Sequence, residues 1–111
     1  MKSGRRPVVQ VDLLVLSVLS RGPAHGYAVV EALRRGSRGA FELPEGTVYP
    51  ALYRLERRGL VASRLVTVAG RGRRVYRLTA GGRAELAGRI RAWELLAQGM
   101  RAVLRGGPVH V

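Results

Sequence analysis

Residues 45–61 read EGTVYPALYRLERRGLV. Val48, Ala51, Leu52 and Leu55 recur at spacings of three and four, which is the pattern of one apolar helix face. Tyr49, Tyr53, Arg54, Arg57 and Arg58 fall largely elsewhere, and Gly59 closes the segment as a C-terminal glycine does. Pro50 leaves two starts open. If the helix opens near Gly46, the missing N–H of Pro50 lies in the first turn, where no partner is needed. If it opens at Pro44, the proline ring faces the Gly46 carbonyl four residues back, and a glycine there leaves the backbone freer to yield. Either way the segment is an amphipathic helix with an aromatic and cationic outer side.

Working outward, a first helix is expected over about Val9 to Ser20. Leu13, Leu14, Val15, Leu16, Val18 and Leu19 make it apolar nearly all round, so it belongs at the centre. Arg21-Gly22-Pro23 stops it. A second helix covers about His25 to Arg35, with Tyr27, Val29, Val30 and Leu33 inward and Glu31, Arg34 and Arg35 outward. The loop GSRGAFELPEG follows, with Phe41 and Leu43 tucked beneath it.

After Gly59 the period changes. Leu60 to Val68 reads as a strand, Ala69 to Arg73 as a turn and Arg74 to Leu78 as a second strand, giving a hairpin with a basic tip. Thr79 caps a long last helix. Gly81 and Gly82 weaken its first turn, and Gly88 and Gly99 its interior. Leu86, Ile90, Trp93, Ala97, Met100 and Leu104 recur at alternating four and three, a heptad seam. Such a seam packs within the chain or against a second copy. The helix outruns the small unit before it, which favours the second copy, because an exposed apolar seam needs a partner.

The fold class expected is mainly α with a small β-hairpin: a winged helix-turn-helix plus a long C-terminal helix, dimeric. The expected divisions are a basic arm at 1–8, a winged-helix domain at 9–79, a dimerisation helix at 80–105 and a tail at 106–111.

Charge narrows the function. Of 111 residues, 20 are Lys or Arg and 7 are Asp or Glu, for a formal net charge of +13. Genomic bias explains Arg over Lys, but not the shortage of acids, so an anionic partner is implied. There is no Cys, which removes disulfides, zinc ribbons and thiol chemistry. A basic start before an apolar run superficially resembles a signal peptide. Gln10, Asp12 and Ser17 interrupt that run, which is also too short to span a bilayer. No membrane association is expected, and the location expected is cytoplasmic.

His25 and His110 are the only histidines, too few for a metal site without Cys; His25 is expected to hydrogen-bond near the start of the second helix. Gly70-Arg71-Gly72 is a turn between strands, not a phosphate loop. Neither a catalytic constellation nor a cofactor is expected, so the chain does not read as an enzyme.

Three helices and a hairpin place the third helix as the recognition element for the DNA major groove, with the hairpin beside it. Arg54, Arg57 and Arg58 on that helix, Arg71, Arg73 and Arg74 at the hairpin tip, and Arg5 and Arg6 on the arm are its candidate contacts. An Arg guanidinium holds a phosphate bidentately or reads guanine. Tyr49 and Tyr53 offer hydroxyls and flat rings. The bland alternative is a solvated face, with the arginines paired to Glu56 or Glu31.

PAHGYAVVEAL, GTVYPALYRLERRGLV and RRVYRLTAGGRAEL, in this order, resemble the PadR family of bacterial transcriptional regulators. The single long C-terminal helix resembles its short-form members. The resemblance implies a homodimer built on that helix, an inverted-repeat operator in double-stranded DNA, repression, and release by a small-molecule effector. It also implies that Thr47, Tyr49, Tyr53 and Arg54 are recognition-helix positions, and that Arg73 and Arg74 form a basic wing. Trp93 resembles an aromatic that, in some short members, lines a flat pocket at the dimer centre for planar hydrophobic compounds. Val9, Leu13 and Ala97 would lie near it, although Ala97 brings no polar group to orient a ligand. The competing function is a non-specific basic nucleoid or RNA-binding protein.

Overall fold

The computed structural model describes residues 10–109. The element order is α1 (Val11–Leu19), β1 (Ala24–His25), α2 (Gly26–Gly36), α3 (Glu45–Arg57), β2 (Val61–Val68), β3 (Arg71–Leu78) and α4 (Ala80–Leu104). This is the winged-helix plan read from the sequence, with one addition. Ala24 and His25 form a short strand that pairs antiparallel with Tyr76 and Val75 of β3, so the sheet order is β1-β3-β2. A two-residue strand carries no periodicity of its own, which is why the sequence is silent on it.

The core is one cluster. Leu13, Val15, Leu16 and Leu19 of α1 meet Val29 and Leu33 of α2, Val48, Ala51, Leu52 and Leu55 of α3, Val61, Leu78 and Leu86. Tyr27 was expected inward and is not; it is 51% exposed, and its hydroxyl donates to Glu31 at 3.2 Å. The buried side of α2 is narrow, holding only Gly26, Val29 and Leu33, and Tyr27 lies off it. Phe41 and Leu43 are half-buried.

α3 opens at Glu45 behind the N-cap Pro44, whose carbonyl accepts from Thr47 and Val48 at 2.9 and 3.0 Å. The second of the two starts therefore holds, and Pro50 lies inside the helix. Gly46 and Pro50 are both exposed, so the partner that the proline ring denies the Gly46 carbonyl is missing on the solvent side of the helix and not in the core. At the other end, Gly59 takes φ +76°. Its N–H reaches the Glu56 carbonyl and that of Leu60 the Leu55 carbonyl, both at 3.0 Å, which is the paired bonding of a Schellman stop.

The hairpin turn is tighter than expected. Ala69 and Gly70 form it with φ of +52° and +78°, and pairing runs unbroken from Val68↔Arg71 to Val61↔Leu78. Two positive φ values suit a two-residue turn that follows the strand twist. Arg71 and Arg73 thus belong to β3 rather than to the turn.

Thr79 locks the start of α4. Its hydroxyl accepts from the Gly82 N–H at 3.0 Å and donates to the Gly59 carbonyl at 2.7 Å. Gly82 is buried, and a Cβ there would run into the Leu60 carbonyl oxygen and come within 2.8 Å of Leu78 Cδ1. Gly82 is therefore a packing requirement of the α4 docking site, not merely a weak helix former. Leu86, at 8% exposure, belongs to the core, which corrects its placement in an intermolecular seam. Beyond it, α4 runs on until its 25 residues span about 37 Å. Ile90, Trp93, Met100 and Leu104 are exposed along this stretch, and Ala97 is half-buried.

Candidate nucleic-acid interface

The outer side of α3 follows from its inner one. Gly46, Pro50, Tyr53 and Arg57 lie opposite the buried Val48, Ala51, Leu52 and Leu55 and are all exposed. Arg57 sits over the Tyr53 ring, 5.7 Å from its centroid, and Nη1 donates to the Tyr53 hydroxyl at 3.4 Å. The pair forms a cationic platform at the centre of the exposed face. Thr47, Arg54 and Arg58 lie on the flank that faces α1 and α4. Arg54 Nη2 donates to Asp12 Oδ1 of α1 at 2.8 Å, and Arg58 stands 4.0 Å from Glu85 of α4. The carboxylate partners are Asp12 and Glu85, not the expected Glu56 or Glu31. Glu31 instead pairs with Arg34 at 2.8 Å, and that bond holds its carboxyl below the ordinary range.

Tyr49 lies on the opposite flank, towards the wing. Its ring occupies the space above Gly26, where a Cβ would come within 2.8 Å of ring carbons. Tyr49, His25, Gly26, Tyr27, Arg73, Arg74 and Tyr76 line a cleft of about 410 Å³ between α2, α3 and the wing. Arg74 is held there by a relay to α3. Its Nη1 donates to Ser63 Oγ at 3.1 Å, and Ser63 donates to Glu56 Oε2 at 2.7 Å. His25 caps α2, accepting the Ala28 N–H at Nδ1 at 3.3 Å. Burial raises the Tyr76 hydroxyl above its ordinary pKa, so it stays a neutral O–H.

The structure thus gathers Tyr49, Arg73 and Arg74 around one cleft and leaves Tyr53 and Arg57 on the adjoining face. Arg71 opens β3 at the wing tip. Arg54 and Arg58 stand apart, beside acids. Arg5, Arg6 and Val9 lie outside the described residues. His25, Gly26 and Tyr76 are cleft residues that sequence reasoning did not assign to the interface; the contiguous His-Gly-Tyr triplet at 25–27 was the available signal.

A second cavity, about 340 Å³, lies between α1 and α4 and is lined by Gln10, Leu13, Leu14, Ser17, Phe41, Ile90 and Trp93. It joins two of the expected ligand-pocket residues, Leu13 and Trp93, while Ala97 is not part of its wall.

The sequence model of the transcriptional regulator PadR-like family matches residues 15–88. The chain belongs to the PadR family. The match begins within α1 and ends in the first part of α4, so it takes in α2, α3 and the hairpin of this PadR protein in full. Among curated relatives, the transcriptional regulator Rv3488 of Mycobacterium tuberculosis is 43% identical over 100 residues, covering 90% of this chain and 87% of the relative. A crystal structure of a PadR family transcription regulator from Clostridium difficile R20291 superposes with a TM-score of 0.76 at 31% identity, covering 86% of this chain and 99% of that one. A PadR family regulator from Eggerthella lenta gives 0.74 at 33% identity, covering 85% and 83%. The protein is accordingly a PadR-like transcriptional regulator with a winged-helix DNA-binding fold. Among the described residues, no helix is long and apolar enough to cross a membrane.

Proposed function

We propose that this PadR protein is a homodimeric repressor that binds an inverted-repeat operator in double-stranded DNA and is released by a small, planar hydrophobic effector. The observation that carries the reading is the meeting of α3 and the wing around one cleft that holds two arginines and no carboxylate. The exposed Tyr53–Arg57 platform adjoins it on α3. α3 supplies groove contacts, and the wing supplies phosphate contacts that fix orientation.

Dimerisation is argued from α4, whose exposed Ile90, Trp93, Met100 and Leu104 repeat on one face. A two-fold dimer presents two α3 helices, which matches an inverted repeat. The apolar cavity beside Trp93 supports the effector part of the reading. Trp93 is the chain's single Trp, so titrating in a planar aromatic compound and following its emission tests that part directly. Emission unchanged across the titration would remove it.

Arg74→Ala tests the DNA reading at one residue. Arg74 sits at a fixed place in the cleft through Ser63. Its loss is expected to weaken binding to all duplexes alike and to flatten the salt dependence by about one unit of slope. Affinity measured against salt concentration checks this. A loss confined to one base position would contradict it.

A further inference from the structure

We propose that the cleft between α2, α3 and the wing seats one phosphodiester group of duplex DNA, and that His25 donates to that group through its Nε2–H. The inference rests on the DNA-binding reading and assigns a role to a neutral side chain within it.

The His25 ring carries the argument. Nδ1 accepts the Ala28 N–H at 3.3 Å. A ring nitrogen that accepts a hydrogen bond carries no proton, so the neutral imidazole holds its proton on Nε2. The capping bond therefore fixes both the tautomer and the ring, and leaves Nε2–H as a donor. His25 lines the cleft, and its backbone is tied to Val75 of the wing strand through the β1–β3 pairing. The donor thus keeps its position relative to Arg73 and Arg74, two and one residues before Val75.

The rest of the lining fits an anion. Arg73 and Arg74 bring two positive charges, and no acidic residue lines the cleft. Arg74 is braced by Ser63, which in turn bonds Glu56 of α3. A phosphodiester has two non-bridging oxygens, enough to accept from a guanidinium fork and from a neutral donor together. Gly26 completes the cleft by leaving room for the Tyr49 ring. The His-Gly-Tyr triplet then has a physical reading: His25 caps and donates, Gly26 makes space, and Tyr27 forms a wall whose hydroxyl is directed to Glu31.

The test separates cap from donor in the full chain. His25→Asn keeps a good capping side chain but is too short to replace the Nε2–H. Binding is read by fluorescence anisotropy with a labelled random-sequence duplex, and folding by thermal melting. The expected result is a melting curve close to that of the native chain and affinity about 10-fold lower for every duplex. The salt slope stays unchanged, because no charge is removed. Equal binding by the native chain and His25→Asn overturns the seat and leaves the DNA reading standing; a native chain that binds no duplex overturns both. A second measurement does not depend on how the variant folds. The His25 Nε2–H resonance of the native chain is expected to shift on saturation with duplex and not with millimolar inorganic phosphate. A His25 signal unmoved by duplex overturns the proposal, and one that saturates with phosphate alone makes this a free-oxyanion site instead.

Discussion

Replacing Gly82 with alanine is expected to lower folding stability by at least about 3 kcal/mol and the melting temperature by at least about 12 °C. The added methyl would meet the Leu60 carbonyl oxygen, which cannot move aside. That oxygen already accepts the Thr79 N–H at 3.1 Å, at the junction where β3 passes into α4. Leu78 presses from the other side. Gly81 is the control. A Cβ there finds its nearest neighbours at 3.7–3.9 Å, ordinary contact distance. Gly81→Ala should therefore behave as an exposed helix position does and stabilise by about 0.5–1 kcal/mol. Two adjacent glycines in one first turn thus differ in sign. Thermal and denaturant melts of the two variants decide the matter, and equal shifts would show that close approach at Gly82 is not what holds α4 down.

Met100→Glu should leave each protomer folded and separate the proposed dimer. Met100 is 55% exposed in the single chain, so a carboxylate there meets water and disturbs no core contact. In a two-fold dimer built on the α4 seam, the same substitution occurs twice in one interface. Burying an unpaired charge costs about 3–5 kcal/mol, so the dimer dissociation constant should rise by at least about 100-fold. Sedimentation at micromolar concentration reads this directly. Affinity for an inverted repeat should fall with it, because two half-sites are no longer held together, while single-half-site binding persists. A dimer of undiminished strength would place the interface away from this face of α4.

The helical layout was legible because its signals are local and periodic. The three-and-four spacing of Val48, Ala51, Leu52 and Leu55 placed the buried face of α3, and Gly59 and Thr79 marked helix ends whose bonds now account for them. The misreadings share a cause: they depend on what another segment does. Leu86 fits the heptad seam as well as any residue, yet α1 and β3 pack against α4 and Leu86 joins the core cluster. Tyr27 fits an inward stripe, but only three residues of α2 are buried. Gly82 looks like a helix weakener until the Leu60 carbonyl is brought against it. The turn at Ala69–Gly70 is short because Arg71 to Arg73 find partners on β2, a pairing that neither strand shows alone.

The candidate interface was legible as a charge inventory and not as a geometry. Nothing in the sequence separates Arg54 from Arg57, yet one is tied to Asp12, 42 residues away, and the other rests on a neighbouring tyrosine. The cleft needs β1 to bring the start of α2 beside Arg73 and Arg74, and β1 has only two residues. His25, Gly26 and Tyr76 enter the site through that pairing.

A net charge of +13 would bind any duplex weakly, so sequence-specific recognition is the property that sets the proposed repressor apart from a merely basic protein. The most direct measurement is selection of bound sequences from random duplex DNA, followed by the affinity ratio of the recovered sequence to random duplex at moderate salt. An inverted repeat preferred by at least about 10³-fold is the expected result; equal affinity for all duplexes would contradict it and leave a non-specific basic DNA-binding protein.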